Sequence, residues 1–319
     1  GLFDGDDIEI PHFTNEIRDL ILEKASDDFD WSEISPTIFG AVFESTLNPE
    51  TRRKGGMHYT SIENIHKVID PLFYDELCIE FEKIKEIKIV KTRNQKLEDF
   101  RDKLASLTFL DPACGSGNFL TETYLSLRRL ENEAVELLQG GRVAFSLLNP
   151  IKVQISQFYG IEINDFAVTV AKTALWIAEA QMMQKTAQIM YQNLEFFPLK
   201  TYTNIVEGNA LRVDWSDVIS AKKLSYIMGN PPFIGGKMMD ASQKEDMLFI
   251  FGKKWKNLGN MDYVCCWYKK AADYMKDTEI ECALVSTNSI TQGQAVASLL
   301  GLMLNDGIKI NFAWKTFCW

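Results

Sequence analysis

The chain has 319 residues, 46% of them hydrophobic, enough for one large α/β core and a smaller appendage. Its formal net charge of -10 excludes strong stand-alone binding to nucleic acid, which depends on neutralising phosphates, unless a basic face or another domain compensates. No apolar run is long enough to span a bilayer, the acidic segment Gly1 to Asp7 does not read as a signal peptide, and six cysteines without CxxC spacing read as reduced thiols of a cytoplasmic protein. The three histidines lack metal-ligand spacing, so no metal site is expected.

Residues 13–47 read as helices: Phe13, Ile17, Leu20 and Ile21 follow helical spacing, and Ser35-Pro36 opens a second helix through Phe43. A basic, glycine-rich loop follows, with Arg52, Arg53, Lys54, Gly55 and Gly56. Ser61 opens a helix to about Ile69, and 73–105 is charged and helical, with Glu and Lys at i,i+3 and i,i+4, expected as a solvated helix pair. Glu86-Ile87-Lys88 has the form of half a nuclease ExK motif but has no acidic strand partner, so no nuclease centre is expected within this chain. From Leu107 the texture changes to short apolar runs alternating with helices. Strands are expected at 107–110, 158–163, 204–206, 224–228 and 280–285, with helices at 119–138, 165–185 and 262–276. That alternation predicts an α/β fold with a doubly wound, mostly parallel sheet and an N-terminal helical segment, ligand chemistry lying at the carboxyl ends of the strands.

Four strand ends carry polar motifs. Asp111-Pro112-Ala113-Cys114-Gly115-Ser116-Gly117-Asn118-Phe119 joins the first strand to a helix, and its paired glycines let a ligand approach the backbone at a helix N-terminus. It lacks the third glycine of a dinucleotide fingerprint, since position 120 is Leu. Glu162 ends the next strand, where a carboxylate can accept hydrogen bonds from ribose hydroxyls, although taken alone it equally fits a strand-end surface acid; it lies 45 residues past Gly117, against about 20 in dinucleotide folds. Glu207-Gly208-Asn209-Ala210-Leu211 follows the third strand and taken alone also fits a plain Gly-Asn turn. Asn230-Pro231-Pro232-Phe233 follows the fourth. The amide oxygen of Asn230 and the carbonyl of Pro231 suit the two hydrogens of an exocyclic amine, prolines stiffen that carbonyl, and Phe233 offers a flat face to an extruded base.

Together these residues resemble the amino-group DNA methyltransferases. Asp111 to Phe119 looks like their cofactor motif I, Glu162 like the motif II acid, Asn209 like motif III (where many relatives carry Asp) and Asn230 to Phe233 like catalytic motif IV. Gly56-Met57-His58-Tyr59-Thr60 resembles motif X; its place upstream is the gamma arrangement typical of adenine-N6 enzymes. Residues 259–263 and 283–288 resemble the motifs that follow. Finer texture, including Arg53-Lys54-Gly55-Gly56-Met57-His58-Tyr59-Thr60 and Phe312 to Trp319, is similar to the MmeI-like class of restriction-modification enzymes.

The resemblance implies the class I S-adenosylmethionine-dependent methyltransferase fold over 56–319, preceded by a helical spacer at 1–55. It implies S-adenosylmethionine as cofactor, held by Tyr59, Thr60, Asp111, Ala113, Cys114, Gly115, Gly117, Asn118, Glu162, Ile163, Asn209 and Ala210. The catalytic residues would be Asn230, Pro231, Pro232 and Phe233, acting on double-stranded DNA with a flipped adenine. It also implies a target-recognition domain, and a nuclease domain in the full-length protein, outside this chain. The chain stops at Trp319 inside what the resemblance makes the last strand pair, so a fragment is expected. The same tetrapeptide serves RNA amines and protein amide nitrogens, and a catalytically silent cofactor-binding module is a further alternative.

Overall fold

A computed structural model describes residues 12–24, 34–37, 40, 60–140, 150–190, 204–252, 261–292 and 296–317. Arg52, Arg53, Lys54, Tyr59 and Cys318, and the expected boundary at 55/56, lie outside the described residues. Before the sheet come α1 (Asn15–Leu22), α2 (Ile62–Ile69), a π-helical turn (Asp70–Tyr74), α3 (Asp75–Lys85) and α4 (Val90–Ser106). The α/β part runs β1 (Phe109–Asp111), α5 (Asn118–Gln139), β2 (Phe158–Glu162), α6 (Asp165–Met190) and β3 (Asn204–Glu207). It continues with α7 (Trp215–Val218), β4 (Tyr226–Gly229), α8 (Ala241–Phe251), α9 (Cys265–Met275) and β5 (Glu281–Leu284).

The five expected strands pair in the order β3-β2-β1-β4-β5, and every pairing is parallel. Strand order reverses between β1 and β4, which opens a crevice at their carboxyl ends. Alternate strand residues feed two separate cores, because successive side chains point to opposite faces. Phe109, Phe158, Ile205 and Met228 pack on the side of α5 and α6, whereas Leu110, Ile161, Ile227 and Leu284 face α8 and α9. On the first side Phe109 stacks with Phe158 and Tyr226 at centroid distances of 5.2 and 5.6 Å and meets Phe73 at 5.1 Å. Such pairs contribute roughly 0.5–1.5 kcal/mol each beyond area burial.

The expectation of a solvated helix pair at 73–105 is corrected. Leu77, Phe81, Ile84, Leu97, Phe100 and Leu104 are buried in the first core, and Phe81 stacks on Phe100. Arg101 is fully buried and lies 3.0 Å from Glu98. A helix can carry alternating charges along one flank and still bury a narrow apolar stripe, and this stripe covers α5. α5 is enclosed on nearly all sides, so its Arg128 pairs with Glu131 and donates to Thr186 of α6 at 2.6 Å. A charge buried this deeply persists only when paired and hydrogen-bonded. Among the described residues no helix is long and apolar enough to cross a membrane.

Candidate active site

At the crevice between β1 and β4 lies a cavity of about 430 Å³, within the size range of small-molecule sites. The β1–α5 turn forms its floor. Gly115 and Gly117 adopt φ +52° and +80°, conformations that favour glycine. A side chain at Gly117 would also press on Ala171 of α6, its Cβ lying 2.9 Å from that residue's Cβ. At Gly115 a Cβ would meet nothing within 4 Å, because the backbone there faces open cavity. The turn is tied down on three sides: Cys114 N donates to Ile161 O at 3.2 Å, Gly117 N to Cys114 O at 2.8 Å, and Trp267 Nε1 of α9 to Pro112 O at 3.0 Å. Ser116 Oγ and Asn118 Oδ1 are buried with no hydrogen-bond partner among the described residues.

Two carboxylates stand side by side on this floor. Asp111 is 1% exposed and accepts from Ala113 N at 3.0 Å; burial, with the Glu162 charge adding to it, pushes its pKa up to about 8. Glu162 bridges two loops through its separate oxygens, Oε2 accepting from Gly115 N at 2.9 Å and Oε1 from Asn164 N at 3.0 Å. Burial raises its pKa too, against the opposing pull of those amides. Gly229 at the end of β4 is required by the same floor, since a Cβ there would overlap Asp111 Oδ1.

The adjoining wall comes from β3 and α8. Asn209 and Ala210 line the cavity, but both polar ends of Asn209 are already engaged: Oδ1 accepts from Leu211 N and Nδ2 donates to Asp246 Oδ2, both at 2.9 Å. Asp246, 3% exposed, also accepts from Arg212 Nε at 2.5 Å and from the Tyr263 hydroxyl at 2.7 Å. Asp246, Tyr263 and Trp267 line the cavity; Asp246 and Trp267 carry no signal in the sequence analysis, and Tyr263 enters it only as the end of the motif at 259–263. Only Asp262-Tyr263 left a trace there, as part of a recognised motif; Asp246 sits in an unremarkable helix. Asp262 Oδ1 accepts from Ile234 N at 2.9 Å and Val264 N at 3.2 Å, anchoring the loop after β4 to the start of α9.

Of the expected residues, Thr60, Asp111, Ala113, Cys114, Gly115, Asn118, Glu162, Ile163, Asn209, Ala210, Asn230 and Pro232 come together around this one cavity. Gly117 supports the turn from behind, Pro231 is buried, and Phe233 is half-buried on the loop beside the cavity without lining it. Asn230 Nδ2 donates to Thr60 Oγ1 at 3.3 Å, while its Oδ1 is buried and has no partner among the described residues.

A family profile described as the MmeI DNA-methyltransferase domain matches residues 87–319. The chain is 42% identical over 310 residues to DNA methyltransferase A of Bacillus subtilis, covering 96% of this chain and 34% of that protein. It is 28% identical over 225 residues to a putative type II restriction enzyme and methyltransferase of Methanocaldococcus jannaschii, covering 62% of this chain and 18% of the relative. Among solved structures, the type IIL restriction-modification enzyme MmeI in complex with DNA superposes with a TM-score of 0.88 at 43% identity, over 99% of this chain and 42% of that one. A DrdV–DNA complex shares the fold, with a TM-score of 0.53 at 17% identity over 92% of this chain and 28% of that one. The chain thus spans about a third of the length of the Bacillus subtilis relative.

Proposed function

The chain belongs to the MmeI DNA-methyltransferase domain family, and from that premise we propose that it methylates the N6 amino group of adenine in double-stranded DNA, with S-adenosylmethionine as cofactor. The observation that carries the reading is Asn230. It follows β4 directly, lines the same cavity as Asp111 and Glu162, and keeps a buried side-chain oxygen without a partner among the described residues. Buried acceptors are seldom left unmade, so this oxygen is suited to a donor brought by a ligand.

The residues present fit the cofactor. Glu162 lines the cavity with a carboxylate suited to accept from ribose hydroxyls, Ile163 offers an exposed apolar face for a base, and Gly115 leaves the space a Cβ would take. Asp111, Ser116 and Asn118 supply the polar atoms expected around an ammonium and carboxylate. When bound, S-adenosylmethionine supplies an electrophilic sulfonium methyl group. The protein's own part is position and hydrogen bonding. An adenine amine is a poor nucleophile because its lone pair is delocalised into the ring. Asn230 Oδ1 and the Pro231 carbonyl, accepting both amine hydrogens, draw the nitrogen toward tetrahedral geometry and free that lone pair. Pro231 and Pro232 hold the carbonyl rigid, and Phe233, on the same loop beside the cavity, offers its ring to a base entering from outside it. No general base is needed, since the methylated ammonium sheds its proton readily.

A target-recognition domain and a nuclease domain beyond these residues, and a cytoplasmic location, belong to the same proposal. A separate recognition domain accounts for the acidic balance of this one. The test uses the natural full-length protein, labelled S-adenosylmethionine and unmodified chromosomal DNA, followed by nucleoside chromatography. Label should appear as N6-methyladenine, and Asn230→Ala should abolish it while calorimetric cofactor affinity stays within about threefold. Label on cytosine, or lost cofactor binding in the variant, would overturn the assignment.

A further inference from the structure

Thr60 and Asn230 are 170 residues apart in sequence, yet the amide nitrogen of Asn230 donates to the Thr60 hydroxyl at 3.3 Å. We propose that Thr60 is a positioning residue that fixes the rotation of the Asn230 carboxamide, so that its oxygen and not its nitrogen faces the reacting amine. The inference rests on the amine-methylation reading above.

A carboxamide is nearly symmetric in shape but not in chemistry: one end accepts and the other donates twice. Only the oxygen can accept from an amine hydrogen; a flipped Asn230 would set donor against donor. Backbone geometry alone does not choose between the two rotations, so a neighbour must. Thr60 is 3% exposed and sits immediately before Ser61, whose hydroxyl accepts from Asn64 N at 3.3 Å and caps α2. α2 is itself fixed, with Ile65 and Ile69 fully buried in the first core. The Thr60 hydroxyl, which can donate as well as accept, is therefore a stationary partner, and in this structure its oxygen accepts from Nδ2. The other end of the amide, Oδ1, is left buried and without a partner among the described residues, and Asn230 is one of the residues that line the cavity. With an amine present the hydrogen bonds run one way, from amine to Oδ1 and from Nδ2 to Thr60 Oγ1, and each polarises the next.

The test compares Thr60→Val, which keeps the shape and deletes the acceptor, with Thr60→Ser, which keeps the hydroxyl, in the natural full-length protein. Thr60→Val should lower kcat for methyl transfer at saturating S-adenosylmethionine by about 10- to 100-fold and shift the Asn230 side-chain amide resonances of asparagine-labelled protein. Thr60→Ser should restore kcat to within about threefold of wild type. Unchanged kcat in Thr60→Val at saturating S-adenosylmethionine, whatever its Kd, would overturn the proposal. An unmoved Asn230 resonance in the folded variant would do the same without any turnover. Failure of the underlying reading shows separately, as wild-type protein that methylates no DNA amine.

Discussion

Glu162 joins fold and ligand chemistry at one side chain, and truncating it separates the two. In Glu162→Ala the amides of Gly115 and Asn164 lose their acceptors, which lie at 2.9 and 3.0 Å. An orphaned buried amide costs about 1–3 kcal/mol. Two effects offset that loss: the alanine relieves a carboxylate whose burial already opposes its charge, and water can enter the cavity it lines. The net destabilisation is then about 1–3 kcal/mol, a fall in Tm of roughly 2–10 °C for a domain of this size. Cofactor binding suffers more. Two ribose hydroxyls donating to an ionised carboxylate contribute about 1.5–3 kcal/mol each, so affinity should fall by about 10²- to 10⁴-fold. Glu162→Gln should fall between, since its one oxygen can serve only one loop and its amide nitrogen confronts the other loop's N–H. Calorimetric titration with S-adenosylmethionine, paired with thermal melts, reads both quantities. A folded Glu162→Ala that binds within about tenfold of wild type would refute the ribose role.

Two further perturbations probe neighbouring groups. The Asp111 carboxyl, raised to about 8 by burial, is protonated in the folded state at neutral pH and ionised in the unfolded chain. Its contribution to stability is therefore complete below pH ~4 and is lost as pH rises through about 8. Asp111→Asn should thus gain in Tm over wild type progressively from pH 5 to 8 and level off above; a gap that does not change with pH would contradict the assignment. Asp246→Ala strands Asn209 Nδ2 and the Tyr263 hydroxyl, whereas Arg212, 41% exposed, can turn to water. Urea unfolding should record a loss of about 2–4 kcal/mol, and Tyr263→Phe alone about 1 kcal/mol; no loss from either would mean that the cluster does not hold this wall.

Much of the site was legible because its chemistry sits at strand ends. A run such as 158–163 is apolar on both faces, as a central parallel strand must be, and its terminal Glu162 lies where the sheet opens. The turn from Asp111 to Asn118 was legible for the same local reason, since the glycines meet a backbone requirement there. Asn209 was placed at the cavity but its engagement was not foreseen: its partner Asp246 lies 37 residues away on another element.

What the sequence determined by itself is the alternation of strands and helices and the polar residues at the carboxyl ends of the strands, because periodicity and turn chemistry are local. Strand order, and with it the crevice between β1 and β4, emerged only when the strands paired. Tertiary packing alone decided which acids would be buried beside the cavity, that Arg101 of the charged helix α4 would be fully buried, and that Thr60 would hold the amide of Asn230. Those outcomes depend on desolvation and hydrogen-bond partners supplied from distant elements, and one-dimensional spacing carries no record of either.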